Sequence, residues 1–117
     1  GKGWFIGVDS DQELTLSAEL AAITLTSGLK NIGDSLIWIF DEWDAGRTYW
    51  GKEVNLGLVE GGVGFVSDKN FAKYAPQEVQ DKVFAAEKAV REGTIQVSSA
   101  IGDESMGVVS LRDQMQP

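Results

Sequence analysis

Two carboxylates, Asp9 and Asp11, stand two residues apart in the run Gly7-Val8-Asp9-Ser10-Asp11-Gln12. Behind an apolar strand, an Asp-x-Asp pair can supply a nucleophile and an acid. It can also hold Mg²⁺, which takes one or two carboxylates together with water and phosphate. A single carboxylate can instead accept two hydroxyls from a vicinal diol, as on a sugar. The same residues also make an ordinary turn with a helix cap. Spacing alone leaves all three readings open. A second candidate group is Thr26-Ser27-x-x-Lys30, two hydroxyls and an ammonium near a strand end. A third is Gly61-Gly62-Val63-Gly64, where the backbone must turn sharply or approach something closely. It lacks the wider spacing of a dinucleotide fingerprint and the Lys-Ser/Thr pair of a phosphate-binding loop, so a tight turn is its plain reading.

What the chain does not contain narrows the chemistry further. With no Cys and no His, disulfides, thiol nucleophiles, the common catalytic triads and most transition-metal sites are out of reach. A net charge of −8 speaks against a nucleic-acid partner, which requires clustered Lys and Arg. At 117 residues the chain has the length of one modest domain. Its longest apolar run, Leu36 to Phe40, is far below the roughly 20 residues that cross a bilayer. The sequence enters an apolar run at Trp4, which reads as a piece of a longer chain.

The elements that must position the candidates follow from periodicity. Gly3 to Val8 is a short buried strand feeding the acidic loop, and Ile23 to Thr26 is a second strand or extended hinge that stops at Ser27-Gly28. Ile32, Leu36, Ile39, Phe40 and Trp43 mark one face of a helix that Ala45-Gly46 closes; Ile37 and Trp38 widen the face, and the tryptophans read as packing. Val54, Leu56 and Leu58 alternate as a strand. Pro76 opens a second helix that carries Val79, Val83, Ala86 and Val90 on one face and ends at Gly93. Thr94 to Val97 reads as a last strand, and the stretch from Gly102 to Pro117 as a polar tail. Strands alternating with helices predict an α/β, three-layer fold with a mainly parallel sheet. In such folds ligand sites gather at the carboxyl ends of strands, where all three candidate groups are expected.

Taken in order, Gly7-Val8-Asp9-Ser10-Asp11-Gln12, Leu25-Thr26-Ser27-Gly28-Leu29-Lys30-Asn31 and Gly61-Gly62-Val63-Gly64-Phe65 resemble the basic membrane protein (BMP) or PnrA-like lipoprotein family. These are substrate-binding proteins of ABC transporters for purine nucleosides and related molecules, with a type I periplasmic-binding-protein fold. The likeness runs from about Trp4 to about Ser98, and departs from the family between Glu13 and Ala22 and after Ile101.

The resemblance implies that Asp9 accepts hydrogen bonds from the ribose of a nucleoside-like ligand. It places Thr26, Ser27 and Lys30 at the hinge between two lobes and Gly61 and Gly62 near the cleft. Residues 1–101 would form the C-terminal segment of a solute-binding protein with parts of both lobes, and 102–117 a tail. The helix near Ile32 to Asp44 would belong to the N-terminal lobe, the helix from Pro76 to Glu92 to the C-terminal one. The expected function is ligand capture rather than catalysis, with no cofactor and no metal. The expected partner is an ABC permease, and the expected location is extracytoplasmic, as a membrane-anchored lipoprotein or in the periplasm. Self-association, or pairing with an N-terminal part of the same protein, would cover the apolar faces. An Mg-dependent phosphatase-like α/β hydrolase using Asp9 and Asp11 is the alternative, and a fragment that only associates is a third.

Overall fold

The computed structural model describes residues 3–97 and Gln114. A strand β1 (Phe5–Asp9) runs into a 3-10 turn at Gln12–Leu14 and a single helical turn α1 (Ala18–Ala21). Strand β2 (Thr24–Lys30) leads to helix α2 (Ile32–Asp44). Strand β3 (Val63–Phe65) is followed by the helices α3 (Lys69–Tyr74) and α4 (Gln77–Arg91). The order in the sheet is β1-β2-β3, so β2 is the central strand. β1 and β2 are parallel, with Asp9 opposite Leu29, whereas β2 and β3 are antiparallel, with Lys30 opposite Val63. The fold is therefore mixed α/β, as the alternation of strand and helix patterns predicts.

Both long helices form where the apolar spacing places them. α2 ends at Asp44 with Gly46 in the left-handed region, φ 78°. α4 has Pro76 as its N-cap rather than its first helical residue, Glu78 in its first turn, and Lys88 and Arg91 in its last. Those charges complement the partial charges of the helix ends. α3 escaped the sequence reading because only Phe71 in it is a clear core residue.

Three expectations need correction. β2 does not stop at Ser27-Gly28 but continues to Lys30, because Gly28 pairs with Val8 on one side and Phe65 on the other. Thr26 and Ser27 therefore lie within a strand and not at its end. The stretch containing Val54, Leu56 and Leu58 is no strand: the Gly57 amide donates to Glu60 Oε2 at 2.8 Å and its carbonyl accepts from Gly62 at 3.0 Å, which closes a loop. Thr94 to Val97 is no strand either. The amides of Thr94 and Ile95 both turn back to the Ala89 carbonyl, at 2.9 and 3.2 Å, and finish α4. The tail from Gly102 lies outside the described residues, Gln114 apart.

The core is small and follows β2. Val66, Phe71 and Ala75 are its buried hydrophobic residues, and Thr24 and Ser27 are fully buried. An aromatic cluster extends it: Phe65, Phe71 and Phe84 meet with ring centroids 5.5 to 6.2 Å apart, tying β3 to α3 and α4. Asn70 fastens α3 to the start of β2, its amide donating to the carbonyls of Ala21 at 2.9 Å and Thr24 at 2.8 Å.

Candidate functional site

The parallel pairing of β1 and β2 brings their carboxyl ends side by side, and the antiparallel β3 brings its amino end to the same edge. Asp9, Lys30 and the Gly61-Gly62 turn are thereby gathered at one end of the sheet. The glycines come there because β3 runs backwards, not because they follow a strand.

Asp9 has φ 72°, a left-handed conformation that Asp adopts more readily than most residues with a β-carbon. This reverses the chain at the end of β1. Its Oδ1 lies 3.1 Å from Lys30 Nζ, and the two side chains remain 67% and 64% exposed. An ion pair this open contributes about 0.2–1 kcal/mol, so it orients the carboxylate without sequestering it.

The rest of the acidic loop is held much more closely. Asp11 caps the 3-10 turn, its Oδ1 accepting from the Glu13 amide at 3.2 Å. Its other oxygen accepts from Lys69 Nζ at the start of α3. These side chains are 19% and 35% exposed, and the bond to Asp11 holds the Lys69 ammonium above its usual range against the opposing pull of burial. Gln12 Nε2 donates to the Val8 carbonyl at 3.0 Å, and the Gln12 amide donates to the buried Ser27 Oγ at 3.2 Å. Gly7 makes room for this interlock: a β-carbon there would stand 2.5 Å from Ser27 Oγ and 3.0 Å from the Gln12 side chain.

Thr26 and Ser27 thus use their hydroxyls within the protein. Thr26 Oγ1 donates to the Val66 carbonyl at 2.7 Å, and the Ser27 carbonyl accepts from the Val66 amide at 2.9 Å. Gly62 is buried against Leu56, whose β-carbon would lie 2.6 Å from one on Gly62, and Gly61 has φ 74°. Asn31 locks this turn to the end of β2: its amide donates to the Gly62 carbonyl and its side chain to that of Gly61, both at 2.9 Å. Sequence reasoning passed over Asn31, Gln12 and Lys69. Asn31 carried a signal, as an Asn just ahead of a helical pattern; the distant Lys69 carried none.

A separate cavity lies elsewhere. About 570 Å³ opens between α2 and the 47–56 segment, lined by Leu36, Trp38, Phe40, Trp43, Tyr49 and Trp50 among others. Two of its lining residues are held by Glu42, which accepts from Arg47 Nε and Nη2 at 2.5 Å each and from Tyr49 Oη at 2.8 Å. Those bonds lower the Glu42 pKa from 4.5 to about 2, with the Arg47 bond the larger cause, and raise those of Arg47 and Tyr49.

Residues 1–100 match the model of the Bmp family, the PnrA-like substrate-binding proteins of ABC transporters, and the chain belongs to that family. No curated protein matches it. The family is one of extracytoplasmic substrate-binding proteins, whose function implies a small-molecule ligand and a permease partner. Among the described residues no helix is long and apolar enough to cross a membrane.

Proposed function

We propose that the protein binds a purine nucleoside or a similar small molecule in a cleft between two lobes and presents it to an ABC permease. In this reading Asp9 accepts two ribose hydroxyls, and Lys30, with Gly61 and Gly62, borders the same cleft. Thr26 and Ser27 act from within β2 as the hinge that carries Lys30. Residues 1–101 supply the C-terminal segment, with α2 belonging to one lobe and α4 to the other. A lipid anchor or the periplasm would keep the protein outside the cytoplasm.

The observation that carries the reading is the conformation of Asp9 beside Lys30. A strained residue at the end of a parallel strand, with an accessible carboxylate held only by an exposed lysine, is a place where ligand hydroxyls can displace a weak partner. The phosphatase alternative fits less well. Asp9 and Asp11 are each paired with a different lysine, so the two carboxylates do not converge on a shared cation.

Calorimetric titration with guanosine tests the proposal. Asp9→Asn removes the charge from the hydrogen bonds while suiting the left-handed backbone. It should weaken binding at least about tenfold, since bonds to a charged group contribute roughly 1.5–3 kcal/mol. Unchanged affinity would refute Asp9 as the ribose acceptor. Magnesium-dependent phosphatase turnover abolished by the same substitution would favour the hydrolase.

A further inference from the structure

Lys69 lies 58 residues from Asp11 along the chain, and its ammonium reaches that carboxylate. We propose that Lys69 is a positioning residue that, through its ion pair with Asp11, sets the geometry in which the acidic loop presents Asp9. The inference rests on the reading of Asp9 as the ligand-facing carboxylate.

Besides the open Asp9–Lys30 pair, three bonds tie the loop to the rest of the protein. Gln12 Nε2 binds the Val8 carbonyl, the Gln12 amide binds Ser27 Oγ, and Lys69 binds Asp11. The first fixes the loop to the end of β1 and the second fixes it to β2, whereas the third reaches α3, far along the chain. α3 is a firm base for it. Asn70, the next residue, donates to two carbonyls near the start of β2, and Phe71 is buried at 4% exposure in the aromatic cluster. A displacement of α3 along the sheet is therefore transmitted to Asp11, and Asp11 is two residues from the chain reversal at Asp9. The division of labour between the carboxylates follows. Asp11 is largely covered and engaged by Lys69 and the Glu13 amide, while Asp9 is exposed toward solvent. Of the two, Asp11 builds the loop and Asp9 is left for the ligand.

Lys69→Met removes the ammonium and keeps most of the stem. Two measurements on the intact protein read the result. Amide hydrogen exchange without ligand should show Ser10 to Glu13 exchanging about fivefold faster in the variant, with β2 unchanged, and Lys69→Arg should restore protection. Titration should show guanosine affinity falling about fivefold and that of 2′-deoxyguanosine falling less, because one of the two hydroxyls that depend on Asp9 geometry is gone. Unchanged exchange at Ser10 to Glu13 overturns the positioning role whatever the ligand proves to be. Equal losses for the two nucleosides overturn the link from Lys69 to Asp9. A wild-type protein that binds neither nucleoside refutes the nucleoside reading, and the exchange result then decides the role of Lys69 by itself.

Discussion

Asp9 combines a cost in stability with a gain in presentation. Its φ of 72° is strained for a residue with a β-carbon, at about 1 kcal/mol or more. Asp9→Gly relieves that strain, so thermal denaturation should show the variant at least as stable as wild type while guanosine binding is lost. A clear drop in Tm would mean that the carboxylate and its pairing with Lys30 outweigh the strain. The opposite holds at Gly7, where Gly7→Ala forces a methyl against Ser27 Oγ and the Gln12 side chain. Overpacking of this kind costs about 1–3 kcal/mol, and urea denaturation should reveal it. Glu42 supplies a pH signature. Its folded-state pKa of about 2 lies below the ordinary 4.5, so its pairing with Arg47 and Tyr49 stabilises the fold fully above pH 4.5 and is lost as the pH falls through about 2. The stability difference between wild type and Glu42→Gln should be constant from pH 5 to 7 and shrink on further acidification. A difference that does not change with pH would show that the charge of Glu42 contributes nothing.

At the scale of elements, β2 organises everything else. It pairs with both neighbours, supplies the two fully buried hydroxyl side chains, and ends in Lys30. Asn70→Ala would strip partners from the Ala21 and Thr24 carbonyls at its start. A loss of about 1–3 kcal/mol is expected by denaturant titration. The sequence disclosed the two long helices well because elements of 13 and 15 residues carry enough periodic pattern to average out local ambiguity, as from Ile32 to Trp43. It disclosed the short elements poorly. Alternation at Val54, Leu56 and Leu58 imitates a strand, yet a strand needs a partner, and the glycines at 57 and 62 gave those backbone groups to a loop. Spacing marked Asp9-Ser10-Asp11 as a candidate site, but only the family resemblance singled out Asp9; which carboxylate faces outward was not legible in the pattern, because the deciding contact comes from Lys69 in an element that pattern did not mark.

At the scale of the molecule, apolar surface is abundant. The Cα radius of gyration is 17.6 Å, against about 13 Å for a compact chain of this length. Ile32, Leu36, Ile37, Phe40 and Trp43 along α2 are all more than half exposed, and so are Ile6 and Val8 on the edge strand β1. Surfaces of this sort are ordinarily covered by a partner or another part of the same protein. Sedimentation should therefore show association at micromolar concentration, and Leu36→Glu with Phe40→Glu should shift it toward monomer. A wild-type chain that stays monomeric at high concentration would contradict this. The proposed binding in a cleft between lobes also belongs to this scale: on that reading a ligand that bridges them is held by Asp9 at one wall while the other closes over it.

The most direct test of that claim is a calorimetric cycle with two ligands and two proteins: guanosine and 2′-deoxyguanosine, titrated into wild type and Asp9→Ala. If Asp9 accepts the ribose 2′-hydroxyl, removing the hydroxyl and removing the carboxylate each cost at least about tenfold, and doing both costs scarcely more than removing the carboxylate alone. Losses that simply add would show that Asp9 does not touch that hydroxyl, and the acidic loop would then be a turn that ends β1.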